Sequence, residues 1–144
     1  MNDKNEEVTI IMVEDDEGHA KLIEKNLRRA GIVNKLIHYS DGAQAVEHFF
    51  GKEAPEAGPL LILLDLNLPG IDGYEILRRL KTNGKTKKIP IVVLTTTDNP
   101  REIEKCYELG CNVYMTKPVE YEAFAESIRK LGLLLAVVKV PHAE

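Results

Sequence analysis

The sequence predicts a (βα)5 domain of the three-layer α/β class, and three observations carry that prediction. Residues Leu60 to Leu64 are five consecutive aliphatics, bounded by Gly58-Pro59 before and Leu68-Pro69-Gly70 after. Such a run reads as a strand buried on both faces, as in a parallel sheet covered by helices. Strand-like runs then alternate with helix-like runs five times along the chain, which argues for helical crossovers between parallel strands. Finally, the apolar run stops abruptly at Asp65, and in open parallel sheets ligands bind outside the carboxyl ends of the strands. A carboxylate placed there needs partners, because burying an isolated charge is costly.

Each element has its own signal. Val8 to Val13 is the first strand. Glu17 to Ala30 is helical, with Ala20, Ile23, Leu27 and Ala30 along one face, Asp16 as its N-cap and Gly31 as its stop. Lys35 to Tyr39 is a short second strand, and Gly42 to Phe50 a second helix that turns Ala45, Val46, Phe49 and Phe50 inward. Lys52 to Pro59 is the most loop-like stretch. Leu60 to Leu64 is the third strand, and Gly73 to Lys81 the third helix, with Ile76, Leu77 and Leu80 inward. Ile89 to Leu94 is the fourth strand, entered through Pro90; Pro100 to Leu109 is the fourth helix, with Pro100 at its first position and Gly110 as its stop. Cys111 to Met115 is the fifth strand. The last helix begins at Glu120, and Phe124, Ile128, Leu131, Leu135 and Val138 keep a helical period to about Val138.

Bulk properties exclude several classes. A chain of 144 residues suits one domain with a sizeable core, and a net charge of −4 argues against a broad nucleic-acid surface. The N-terminus has no signal-peptide pattern, and the apolar stretch Leu133 to Val138 is too short to span a bilayer. The expectation is a cytoplasmic protein with neither nucleic acid nor membrane as partner. Cys106 and Cys111 lack neighbouring ligand residues and read as small buried thiols in a reducing compartment. The four histidines form no site, although His19 falls near the acidic end of the first strand and could bear on access to it. Leu133 to Val138 either covers the domain's own core or offers an apolar surface for a second copy or a kinase.

The strand ends carry the chemistry. The first ends in Glu14-Asp15-Asp16, the third in Asp65, the fourth in Thr95-Thr96-Thr97 and the fifth in Thr116-Lys117-Pro118. In a parallel sheet these groups share one edge. Clustered carboxylates repel, and a divalent cation relieves the repulsion; an incomplete set of oxygen ligands favours Mg²⁺, or Mn²⁺ in its place. A metal, a lysine and a hydroxyl around one aspartate form a cradle for phosphoryl oxygens, and the carboxylate can attack phosphorus to give an aspartyl phosphate. Taken singly, each residue has a plainer reading: Asp65 as a turn residue, Thr95 to Thr97 as a helix-capping turn, Lys117 as a solvated surface lysine. Their convergence at successive strand ends favours the site.

The segments IMVEDD, LLDLNLPGIDGYEIL, PIVVLTTTD and GCNVYMTKPV, in this order and spacing, resemble the receiver domain of two-component response regulators, from about Val8 to Leu135. The resemblance implies a flavodoxin-like sheet of order 2-1-3-4-5 and phosphoryl transfer to Asp65 from the phosphohistidine of a sensor histidine kinase. It implies that Glu14, Asp15 and Asp65, with the backbone carbonyl of Asn67, hold Mg²⁺. Lys117 matches the lysine that pairs with a phosphoryl oxygen, Thr95 the switch hydroxyl and Tyr114 the aromatic that follows Thr95. Pro69 and Gly70 match the turn after the phosphoacceptor, and the Lys117-Pro118 bond is expected to be cis. Asn67, Thr96 and Thr97 lie where side chains tune the lifetime of the phosphorylated state; Thr96 is larger than the Ala often found there.

The implied output is a binding event. Only Lys139 to Glu144 follow the last helix, so the expectation is one receiver domain over residues 1–144, with a core from about 8 to 138 and no output domain. Phosphorylation would switch a surface on the fourth helix, fifth strand and fifth helix, for an unidentified target or a homodimer. The LTTT, CYELG and PVEYEAF segments are most similar to the small regulators that partner bacterial phytochrome kinases. Alternatives are a phosphate sink or phosphorelay intermediate, a degenerate scaffold, a flavin binder, and a Mg²⁺-dependent aspartyl-phosphate phosphatase. The phosphatase would want a second Asp where Asn67 stands, the flavin binder a phosphate loop where Glu14-Asp15-Asp16 would repel phosphate, and the scaffold a broken site.

Overall fold

The computed structural model describes residues 8–51, 60–117 and 120–135. Among these residues, strands and helices alternate: β1 (Thr9–Val13), α1 (Glu17–Arg29), β2 (Leu36–Tyr39), α2 (Gly42–Phe50), β3 (Leu60–Asp65), α3 (Gly73–Thr82), β4 (Ile91–Thr95), α4 (Pro100–Leu109), β5 (Val113–Thr116) and α5 (Tyr121–Leu135). The strands form one sheet in the order β2-β1-β3-β4-β5, and every neighbouring pair is parallel. The expected (βα)5 topology is what the chain adopts.

Side chains on the central strands alternate between two cores. Ile10 and Met12 of β1, Leu61 and Leu63 of β3, and Val92 and Leu94 of β4 meet Ala20, Ile23 and Leu27 of α1 and Phe124 and Ile128 of α5. The intervening residues, Ile11, Val13, Ile62, Leu64, Ile91 and Val93, meet Ala45 of α2, Ile76, Leu77 and Leu80 of α3, and Cys106 of α4. This explains why Leu60 to Leu64 lacks alternation: both faces are covered, and Leu61 through Leu64 are each fully buried. Each such side chain contributes about 1.5–3 kcal/mol by leaving water, so β3 is pinned in register from both sides.

Short polar residues fix where the helices begin. Asp16, Asp41, Asp72 and Asn99 cap α1 to α4, each side chain accepting a bond from a backbone N–H two or three residues on, a device worth about 1 kcal/mol per helix. Gly110 ends α4 with φ of 109°, a conformation in which a side chain would be strained.

Most boundaries shift by a residue or two from the sequence reading, and three of the shifts have a clear local cause or bear on the site. β4 starts at Ile91, because Pro90 has no N–H and joins the ladder only through its carbonyl, which accepts from Ile62 N at 3.0 Å. Cys111 does not begin β5: its N–H closes back on Cys106 O at 3.0 Å, as part of the turn leaving α4. β3 extends through Asp65 itself, which is paired with Leu94. Cys106 and Cys111 are both buried free thiols. The loop Lys52 to Pro59, Pro118 and its peptide bond, and the helix extension to Val138 lie outside the described residues, as do the side chains of Leu133 to Val138. No helix among the described residues is long and apolar enough to cross a membrane.

Gly73 shows how closely α3 is set against the end of β3. A Cβ there would fall 2.5 Å from Leu66 Cα and 2.7 Å from Leu66 O. Both are backbone atoms, so no side chain can swing aside. Gly73→Ala is therefore expected to cost about 1–3 kcal/mol, read as a lowered urea midpoint with an unchanged m-value.

Candidate functional site

The alternation that builds two cores also sorts the site residues. Glu14 continues the parity of Ile10 and Met12, Asp65 that of Leu61 and Leu63, and Lys117 that of Val113 and Met115, so all three belong to the α1/α5 side. Thr95 follows Ile91 and Val93, and Tyr114 lies on the same side with α3 and α4. Lys117 N donates to Thr95 O at 2.7 Å, which carries the β4–β5 ladder past the strand end and holds Lys117 over the sheet edge. The acids sit where the strand order reverses between β1 and β3, the usual crevice of such sheets.

Lys117 binds both buried carboxylates. Its Nζ lies 2.8 Å from Glu14 Oε1 and 3.2 Å from Asp65 Oδ2, and all three side chains are nearly inaccessible. Burial alone would push the ammonium toward its neutral form, but Glu14 and Asp65 together hold its pKa above the ordinary lysine value. Glu14 is raised above the usual carboxylate range, first by burial and also by Asp65, although Lys117 and the Asp16 N–H oppose the shift. Burial is the main reason for the Glu14 shift, and with one ammonium facing two buried carboxylates, repulsion from Asp65 adds to it. His38 Nε2 lies 2.7 Å from the Glu14 carbonyl and fixes the backbone at this point.

The acidic residues fit a hard divalent cation. Glu14, Asp15 and Asp65 each offer a carboxylate oxygen, and these oxygens lie within 4.8 Å of one another. Asp15 is exposed whereas Glu14 and Asp65 are buried, so the cluster opens to solvent on one side. An all-oxygen set with an open side suits Mg²⁺ or Mn²⁺, which keep waters, and a cation would relieve the repulsion between Glu14 and Asp65.

The hydroxyl side is arranged differently from the simplest expectation. Thr95 is fully buried, and its Oγ1 donates to Asn67 Oδ1 at 2.6 Å. Asn67 N in turn donates to Asp65 Oδ1 at 2.9 Å. The exposed Thr96 approaches the same Asn67 oxygen with its N and its Oγ1, both at 3.4 Å. Thr97 Oγ1 accepts from Asn99 N at 3.2 Å, so it braces the turn into α4, whose cap is Asn99. Tyr114 is half-buried and its hydroxyl donates to Thr97 O at 2.5 Å; burial, with Cys106 nearby, pushes this phenol up to about 12.

The residues expected at the site thus converge in two linked groups: Glu14, Asp15, Asp65 and Lys117 in one, and Thr95, Thr96, Thr97 and Tyr114 in the other, with Asn67 between them. Two contacts go beyond the sequence reading, which names both residues but not these bonds. The side chain of Asn67, not only its backbone, joins the groups. His19 reaches Lys117, with Nδ1 at 3.3 Å from Nζ; its place three residues after the N-cap Asp16 was the available signal, since that spacing returns a side chain to the helix end.

Because its folded-state pKa is raised, Glu14 favours folding while protonated; that contribution is lost as pH rises from the ordinary glutamate value through the raised one. Glu14→Gln is therefore expected to raise the melting temperature of the metal-free protein at neutral pH. The gain should shrink toward zero as pH falls below the ordinary carboxylate range, as thermal scans across pH would show.

The family model described as the response regulator receiver domain matches residues 10–129. A response regulator receiver domain from Rhodospirillum rubrum is 52% identical, with a TM-score of 0.75 over 94% of this chain and 99% of that one. The response regulator Rcp1 of Synechocystis is 39% identical over 118 residues, 81% of this chain and 80% of Rcp1. The crystal structure of its Mn²⁺-bound form aligns with a TM-score of 0.73 over 93% of this chain and 99% of that one, at 35% identity. The phosphorylated cyanobacterial phytochrome response regulator RcpA is 31% identical, with a TM-score of 0.75 over 93% of this chain and 97% of that one. A match that runs from β1 into α5, through every residue of the acidic crevice, makes this chain a member of the response regulator receiver domain family.

Proposed function

We propose that the protein is a phosphorylation-controlled switch in which Asp65 accepts a phosphoryl group from a sensor histidine kinase and a protein-binding surface responds. The observation that carries this reading is the buried Lys117 ammonium bonded to both Glu14 and Asp65, beside an acidic cluster able to hold a cation. In the transfer, an Asp65 carboxylate oxygen forms the new O–P bond as the N–P bond of the phosphohistidine breaks, and the bonding pair stays on the imidazole. Asp65 needs no general base, because a carboxylate attacks in its ionised form. Glu14, Asp15, Asp65 and the Asn67 carbonyl would hold Mg²⁺, which when bound neutralises charge on the phosphoryl oxygens. Lys117 supplies a second positive charge from the other side. Hydrolysis of the acyl phosphate by water restores Asp65.

The response follows from the hydroxyl group of residues. A phosphoryl group on Asp65 offers Thr95 a charged acceptor in place of Asn67 Oδ1. As Thr95 turns, the space beside Tyr114 changes, and with it the turn at Thr97 that Tyr114 holds. The surface that reads the change is that of α4, β5 and α5, and the shift is between two pre-existing states. The phytochrome-regulator name of RcpA supports a phytochrome-type kinase as the partner.

Labelling tests the assignment. With acetyl phosphate and Mg²⁺, Asp65→Asn should abolish hydroxylamine- and alkali-labile incorporation; labelling that persists at full stoichiometry would show that another residue is the acceptor. Thr96→Ala and Asn67→Ala should each change the hydrolysis rate of the phosphorylated protein by about fivefold, the equivalent of one ordinary hydrogen bond, with Thr96→Ala the faster because it opens the approach for water. Hydrolysis of both variants at the wild-type rate, followed by loss of label, would remove Asn67 and Thr96 from control of the lifetime.

A further inference from the structure

An ammonium has three N–H donors and no acceptor. Two of those on Lys117 meet Glu14 Oε1 and Asp65 Oδ2, and the third acceptor is the His19 ring, whose Nδ1 lies 3.3 Å from Nζ. Because Lys117 can only donate, the contact is a hydrogen bond only when His19 Nδ1 carries its lone pair and the ring proton sits on Nε2. The same ring nitrogen is 4.0 Å from Glu14 Oε2 and 3.9 Å from Asp16 Oδ1, beyond hydrogen-bond range. The backbone under His19 is fixed, since its N–H donates to the N-cap carboxylate Asp16 Oδ1 at 2.9 Å. With its side chain 39% exposed, against 6% for Lys117, His19 stands at the mouth of the crevice.

We propose that His19 is a positioning residue for phosphoryl transfer, its Nδ1 acting as the neutral third acceptor that keeps the Lys117 ammonium facing the mouth of the acidic crevice. The inference rests on Asp65 being the phosphoacceptor. The carboxylates that hold Lys117 are also the groups suited to a divalent cation, and they pull the ammonium down among themselves. A neutral nitrogen draws it outward without adding negative charge to a crevice that already has a surplus. An imidazole is also a poorer ligand than a carboxylate for Mg²⁺, so it stays free for this task. The incoming phosphoryl group then meets a lysine already at the entrance.

The test pairs spectroscopy with substitution. In ¹⁵N-edited spectra of the metal-free protein, His19 should show the tautomer protonated on Nε2, and Lys117→Met should shift its Nδ1 resonance. Asn can place an amide oxygen about where Nδ1 sits, whereas Leu fills similar space with no acceptor. His19→Leu should slow acetyl phosphate labelling at saturating Mg²⁺ about tenfold, the size of one charge-assisted hydrogen bond. His19→Asn should recover most of that rate, all three rates being read at saturating Mg²⁺ so that competition between Lys117 and the cation does not enter. Equal labelling by Leu and Asn variants, whether fast or slow, or a ring protonated on Nδ1, would overturn the proposal. Labelling that survives Asp65→Asn would overturn the phosphoacceptor assignment instead, and the ring spectra separate the two because they need no phosphodonor.

Discussion

The ion pair of Lys117 with Glu14 and Asp65 sets the terms for the rest of the structure. Taking a charged group out of water costs several kcal/mol, and a buried pair recovers that only with good geometry and further hydrogen bonds. Here the geometry is good, but the count is unequal, with two buried carboxylates against one ammonium. The cluster is therefore not where the fold gains its stability. The stability comes from the two apolar cores on either side of the sheet, which hold β1, β3 and β5 so that three charged residues meet at one edge. What the imbalance provides is responsiveness: a crevice with unmet negative charge answers to a cation, and a lysine shared between two acids can be claimed by a third anion.

The sheet divides the proposed task between its two faces. Residues that would receive the phosphoryl group follow the strand parity of the α1/α5 core, and Thr95 and Tyr114 follow that of the α3/α4 core. A slip of one residue in any of these strands would move a site residue to the wrong side, which ties function to the same burial that fixes register. Among the described residues, two connections link the faces at the sheet edge. One is the backbone bond from Lys117 N to Thr95 O; the other is Asn67, bonded to Asp65 through its N–H and to Thr95 through its side chain.

Much of this was legible in the residue order. Leu60 to Leu64 announced a doubly covered strand, and the groups after β1, β3, β4 and β5 announced a site, because strand ends in a parallel sheet need no knowledge of distant contacts to be placed together. The misplaced boundaries were local competitions that periodicity does not weigh: Cys111 satisfies an α4 carbonyl before it can enter a strand, and Pro90 lacks the donor a strand residue needs. The contacts that residue order does not show are of another kind. Asn67 and His19 act through side-chain direction, and nothing in the spacing says that an amide after β3 turns to the hydroxyl that ends β4, or that an imidazole on α1 turns to a lysine after β5. Gly73 was legible only as a helix start; its closeness to Leu66 depends on how far α3 is drawn in by Ile76, Leu77 and Leu80.

Magnitudes limit how much any one of these links can do. A neutral hydrogen bond such as that of Thr95 to Asn67 contributes about 0.5–1.5 kcal/mol net, whereas moving a two-state equilibrium from 1:99 to 99:1 takes about 5.5 kcal/mol. Asn67 alone therefore cannot lock the unphosphorylated state; it biases it. Charge-assisted bonds contribute about 1.5–3 kcal/mol each, so a phosphoryl group on Asp65 that gained both Thr95 and Lys117 would supply about 3–6 kcal/mol against that bias. One such bond falls short of about 5.5 kcal/mol, and the sum reaches it only if both residues engage together. A switch built this way needs Lys117 and Thr95 to be ready at the same moment, and the chain holds both in place before any phosphoryl group arrives, Lys117 through Glu14, Asp65 and His19, and Thr95 through Asn67.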